Sequence, residues 1–268
     1  MPQNAVRIGV PPFLNTEPLT AALEPSPGFE KFELSAHPPS SLRSLMEREE
    51  IDISLMPAAD VFESPGLSVL KDLCISSFGK VQSVILRSKK PMGGIRSVAV
   101  DSGSSSSAKL LKVTLEIFSG ANPVYEKRGY GKDFFTGMDA GLAIGNAGLE
   151  ALSSPPEGFP LCFDLGEVWT RQTGLPFVYA VFTAREGFDP RGALPALKRA
   201  KEKGVKMLGE IARKRSAGLG LGEELCRDYL ENRIGYDLGE AEIKGLMEFG
   251  RLISAEKNGG ETNLNFAD

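Results

Sequence analysis

Apolar residues in this chain fall first into short runs rather than long stripes. Ala5-Val6-Arg7-Ile8-Gly9-Val10 is a strand-length run stopped by Pro11-Pro12. Asn15-Thr16-Glu17-Pro18 follows, with a cap residue, an acid and a proline spaced as in a helix start. Phe32-Glu33-Leu34-Ser35 predicts a second strand, Pro39 through Leu42, Leu45 and Met46 a helix, and Ile51-Asp52-Ile53-Ser54-Leu55 a third strand. This β-α-β-α-β alternation predicts a mainly parallel sheet.

Two extended segments come next, Leu73 to Ser77 and Lys80 to Leu86. In the latter, Val81, Ser83 and Ile85 share one face and Gln82, Val84 and Leu86 the other. The chain breaks at Ser88-Lys89-Lys90-Pro91. A new unit then begins with a Ser97-Val98-Ala99-Val100 strand, a Ser/Gly turn and a helix over 105–118. Ala140 to Ile144 and Phe177 to Thr183 read as further strands. From Leu194 onward the spacing is helical, carried by Leu197, Val205, Leu208, Ile211, Leu225 and Tyr229, then by Ile243, Leu246, Met247 and Phe249. Glu240 and Lys244 lie one turn apart, as on a solvated face.

The pattern predicts an α/β protein of two lobes with mixed sheets. Residues 1–88 and 187–268 form one discontinuous lobe, and 89–186 form the second. Hinge crossings fall near Ser88 and Ala184, and the cleft lies at the carboxyl ends of the strands. A single doubly wound lobe is the alternative.

Composition narrows the function classes. A net charge of −4 with no basic stripe predicts no nucleic-acid partner. No stretch approaches the roughly 20 apolar residues that span a bilayer, so no membrane partner is expected. The start, MPQNAVRIGVPPFL, has no basic segment followed by a long apolar one, which predicts no signal peptide and a cytoplasmic protein. Cys74, Cys162 and Cys226 are odd in number and scattered, as reduced thiols are, and with the single His37 they offer no metal set. That histidine also leaves no Ser-His-Asp triad to assemble.

Among candidate groups, Asp101-Ser102-Gly103-Ser104-Ser105-Ser106-Ser107-Ala108 stands out. It follows a strand and opens a helix, so hydroxyls, free N–H groups and the positive helix end together suit a carboxylate or phosphate. A small-residue loop with one capping serine is the plainer reading, and neither a Walker loop nor a dinucleotide fingerprint is present. Asn15 is a second candidate, or simply a helix cap. Ser83 is a third, a hydroxyl within an apolar strand. Lys80 and Arg171 are cations near turns, as solvated surface charges also are. Asp164-Leu165-Gly166-Glu167 with Trp169 offers carboxylates, but these ill suit a cleft for an acid.

At these residues the chain resembles the chorismate dehydratases of the futalosine route to menaquinone. The shared pieces are Arg7-Ile8-Gly9, Phe13-Leu14-Asn15 with Pro18-Leu19, Ile51-Asp52-Ile53 with Met56-Pro57, and Cys74 through Val84. Ser104 to Ser107, Ala143-Ile144-Gly145, Asp164 through Trp169 and Thr173 through Ala180 complete them. The resemblance implies a cytoplasmic lyase on the type II periplasmic-binding-protein fold. Its reaction removes water from chorismate to give 3-[(1-carboxyvinyl)oxy]benzoate, with no metal or organic cofactor. It implies Asn15 and Ser83 as catalytic residues bonding substrate oxygens, and Ser105, Ser106 and Ser107 as the grip on a carboxylate. Two departures stand in the family pattern: Ser105 occupies the place of an arginine and Asn146 that of an acid. Lys80, three residues before Ser83, is then expected to supply charge to the substrate, and Asn146 is expected among the substrate-binding residues. The alternatives are a non-catalytic binding protein for a small carboxylate, or the related 1,4-dihydroxy-6-naphthoate synthase activity. A helix-turn-helix that would make a ligand-sensing regulator is not evident.

Overall fold

Strands buried on both faces account for the continuous apolar runs, because such strands have no solvent side to mark with polar residues. In the computed structural model, which describes residues 5–27, 29–255 and 264–267, eleven strands form two sheets. They are β1 (Ala5–Val10), β2 (Lys31–Ala36), β3 (Ile53–Pro57), β4 (Ser68–Ser77), β5 (Val84–Ser88), β6 (Ser97–Asp101), β7 (Val124–Arg128), β8 (Ala140–Ile144), β9 (Leu161–Asp164), β10 (Phe177–Ala184) and β11 (Asn265–Ala267). Every residue of β3, β5 and β8 is buried, whereas β2 and β7 lie at sheet edges and alternate with exposed positions.

The first sheet runs β11-β4-β10-β3-β1-β2 and the second β7-β6-β8-β5-β9. In the first, β1 pairs in parallel with β2 and β3, while β10 runs antiparallel between β3 and β4. In the second, β6 is parallel to β7 and β8, and β5 is antiparallel to β8 and β9. Both sheets are therefore mixed, and the first three strands form the parallel group expected of them.

The chain passes between sheets at 78–83 and returns at 165–176, not near Ser88 and Ala184. Strand β5 thus belongs to the second sheet and β10 to the first, which corrects the boundaries read from the sequence. The cause is a turn hidden inside an alternating segment. Gly79 and Gln82 adopt φ of 90° and 64°, so the chain bends where the pattern reads as one strand. The Val81 and Gln82 N–H groups donate to the Asp164 carboxylate at 3.1 and 2.7 Å, away from any strand partner.

Asp164 joins both crossings. Its side chain also caps helix Leu165–Thr173, accepting from Gly166 and Glu167 N–H at 3.0 and 3.1 Å. Burial pushes its pKa up, and the four N–H donors pull it back. Trp169 on that helix is fully buried against Phe177 and Phe249, edge to face at 5.1 and 6.0 Å, and anchors the return to the first sheet. Phe249 lies on helix Glu240–Ala255, the last of the C-terminal helices predicted by the spacing.

At the far end of the first sheet, Asp52 is fully buried and holds three strands together. It accepts from the Arg7 guanidinium at 2.9 and 2.7 Å, from the Arg7 N–H at 3.0 Å and from Arg185 at 3.1 Å. Burial pushes its pKa up, but the Arg7 and Arg185 hydrogen bonds outweigh burial and hold it below the ordinary carboxylate range.

Candidate functional site

Two cavities compete for attention. One of about 880 Å³ lies beside Arg43, Glu47, Glu63 and Arg185, past the end of β10 that pairs with the start of β3. It is open, and these charges already pair with one another or with Asp52. The other, about 440 Å³, lies between the lobes. Its floor is built by Leu55 and Pro57 of β3, Ile75 of β4 and Tyr179 and Ala180 of β10, and its far wall by Ser105, Ser106, Ser107 and Ile144. This is the crevice at strand carboxyl ends where α/β proteins bind ligands, and we assign the site here on position.

Asn15 lines this cleft on a one-turn helix, Leu14–Thr16, and does not cap it; Phe13 is the cap residue. Its Nδ2 donates to the Tyr229 hydroxyl at 2.8 Å, and Tyr229 donates to Ser83 Oγ at 3.0 Å. All three residues are at least nine-tenths buried. Burial pushes the Tyr229 phenol up, so it keeps its proton and can donate. Ser83, 2% exposed, sits behind the lining and reaches Asn15 through Tyr229. Beside them, the hydroxyls of Tyr179 and Ser77 pair at 2.9 Å.

The serine run is brought to the cleft, but two of its hydroxyls face the other lobe. Ser105 donates to Asp60 Oδ1 at 2.5 Å, and Ser106 accepts from the Ala59 N–H at 3.0 Å. Burial pushes the Asp60 pKa up, while the Ser105 hydroxyl and Lys109 pull it back. Because Ser106 accepts from Ala59, its own proton is free for a ligand. Ser107 lines the cleft, and no side chain caps the first turn of helix Ser106–Lys112, which leaves N–H groups toward the same wall.

Asn146 also spans the lobes. Its Oδ1 accepts from the Leu14 N–H at 3.1 Å and its Nδ2 donates to the Pro12 carbonyl at 3.2 Å. Gly145 beside it has φ of 57°, and the Phe13 ring fills the space a side chain would need. Asn146 therefore holds the loop that carries Asn15. The structure does not bring Lys80 to the cleft. It stands exposed on the 78–83 turn with its ammonium 4.0 Å from Glu167, because the same turn that ends the pairing of the strand points it outward. Among the described residues, no Lys, Arg, Asp or Glu lines the cleft.

Reading the sequence missed Tyr229, Asp60, Thr16 and Tyr179. Tyr229 and Tyr179 sit in apolar patterns, where a tyrosine reads as core. Asp60, three residues past Pro57, carried no local signal. Thr16 reads as part of a helix start.

Two lobes of mixed sheet around a cleft at the strand ends define a protein of the periplasmic-binding-protein fold. Solved structures agree. A protein from Archaeoglobus fulgidus superposes with a TM-score of 0.72 at 13% identity, over 95% of this chain and 98% of that one. The periplasmic aliphatic sulphonate-binding protein of Escherichia coli does so with a TM-score of 0.63 at 17% identity, over 97% and 89%. A family model described as menaquinone biosynthesis matches residues 6–255. The chorismate dehydratase of Thermus thermophilus is 30% identical over 261 residues, which span 92% of this chain and 94% of that protein. The chain belongs to this menaquinone-biosynthesis family, among the chorismate dehydratases.

Proposed function

We propose that this protein is a hydro-lyase that converts chorismate to 3-[(1-carboxyvinyl)oxy]benzoate for menaquinone synthesis. The observation that carries the reading is the buried chain Asn15–Tyr229–Ser83 on one wall of the cleft, facing the hydroxyls of Ser106 and Ser107 on the other. The kinship with a chorismate dehydratase supplies the substrate.

The chemistry fits such a lining. Loss of the C3 proton and the 4-hydroxyl aromatises the ring, so the protein need only bind two carboxylates, align the leaving group and exclude water. Ser106, Ser107 and the N–H groups at the start of helix Ser106–Lys112 hold one carboxylate, aided by the helix dipole. One N–H of Asn15 Nδ2 goes to Tyr229, which leaves its second N–H and its Oδ1 to bond the 4-hydroxyl and orient it. Ser83 acts through Tyr229, holding Asn15 in that orientation, and Ser105 and Asn146 keep the lobes together around the ligand. The substrate's own enolpyruvyl carboxylate takes the C3 proton and passes it to the hydroxide leaving C4, which departs as water. Among the described residues the lining offers no carboxylate, histidine or lysine to act as base.

Incubating the purified protein with chorismate, with and without a chelator, and separating the products tests this reading. We expect the aromatic enol ether and one water per chorismate in both cases. Tight binding of chorismate or another acid with no product would leave a binding protein instead.

A further inference from the structure

We propose that the Thr16 hydroxyl is a substrate-binding donor, kept without a protein partner so that the ligand can take it. The inference rests on the cleft being the chorismate site and adds a contact to it. Thr16 is 4% exposed, lines the cleft next to Asn15, and its Oγ1 has no hydrogen-bond partner among the described residues. Of the buried hydroxyls in that state among the described residues, it is the one in the cleft lining.

The usual local uses of such a hydroxyl are not made here. Thr16 is the cap residue of helix Glu17–Thr20, where a threonine normally turns its oxygen to the N–H two or three residues on. Two residues on is Pro18, which has no N–H. Its own backbone is already helical, φ −78° and ψ −31°, rather than extended as a capping residue requires, and it makes no cap bond. Back-bonding to the preceding turn is not used either. The Phe13 carbonyl accepts the Thr16 N–H at 3.1 Å and the Pro12 carbonyl accepts from Asn146, and neither takes the Thr16 hydroxyl.

A buried hydroxyl without a partner is destabilising, whereas an apolar group of the same shape is neutral or favourable in its place. A carboxylate-bearing ligand in a cleft lined by no cation among the described residues needs every donor available. The orphan and the need coincide at Thr16.

Two variants and two readouts test this. Thr16→Val keeps the shape and removes the donor, and Thr16→Ser keeps the donor. We expect Thr16→Val to melt, without ligand, at or above the wild-type temperature while kcat/KM for chorismate falls about 10- to 100-fold, the range for one hydrogen bond to a charged acceptor. Thr16→Ser should stay within about threefold of wild type, well short of the loss of that bond. Overturning results are a Thr16→Val protein that melts several degrees lower, as when a structural hydroxyl is lost, or one that turns over chorismate at the wild-type rate. If wild-type protein gives no product, the assignment of the reaction fails, and the ligand-free melting comparison still decides whether Thr16 is an orphan.

Discussion

The side-chain amide of Asn15 and the hydroxyl of Tyr229 meet at 2.8 Å across 214 residues of sequence. Tyr229 passes the contact to Ser83 at 3.0 Å, so the end of the first strand, the crossing to the second lobe and a C-terminal helix share one buried polar chain. Removing the middle of such a chain leaves two buried partners unsatisfied. Tyr229→Phe should lower kcat about 10- to 100-fold and reduce stability by about 2 kcal/mol. In a cycle with Ser83→Ala the two losses should fall well short of adding, which steady-state rates and melting curves of the four proteins will check.

The lobes are joined across the cleft by neutral hydrogen bonds from Asn146 to the 12–14 loop, and by the bond from Ser105 to Asp60. Asn146→Ala combined with Ser105→Ala should shift the population toward an open form. Small-angle scattering should give a larger radius of gyration for the double variant, and KM for chorismate should rise several-fold more than kcat falls. An unchanged scattering profile and KM would mean that these bonds do not hold the cleft closed.

Acid sensitivity should trace to Asp52. Its folded pKa is depressed, so its contribution to stability is present above the ordinary carboxylate value near 4 and is lost as pH falls through the folded pKa. Asp52→Asn takes the buried charge partner from Arg7 and leaves Arg185 only the exposed Glu49 at 3.4 Å, and should cost about 3 kcal/mol at neutral pH. The variant's melting temperature should then change less than the wild type's between pH 6 and pH 3, as thermal melts across that range will show.

Much of this architecture was legible because burial writes itself into composition. Strand β8 is buried on both faces and appears as an unbroken apolar run, β3 as one interrupted only by Ser54, and the C-terminal helices carry their spacing openly. The lobe boundaries were not legible. The bend at Gln82 is stabilised by a carboxylate 82 residues later, and alternation of side chains alone cannot reveal a positive φ. In the site, Asn15 and the serine run were marked by residue type at strand ends. Tyr229 was not, since a tyrosine at helical spacing is identical in sequence whether its hydroxyl meets water or Asn15. Lys80 is near Ser83 in sequence but not in space, because the turn between them sends the two side chains apart.

The central claim is that the cleft containing Asn15 dehydrates chorismate. The most direct measurement is kcat/KM for chorismate of wild type and Asn15→Ala, with ligand-free melting recorded on the same samples. We expect aromatic product from the wild type and a fall of about 100- to 1000-fold in Asn15→Ala, the range for a positioned polar contact in a transition state, with a melting temperature within a few degrees of wild type. Wild-type protein that leaves chorismate unchanged, or an Asn15→Ala protein as active as the wild type, would contradict the account.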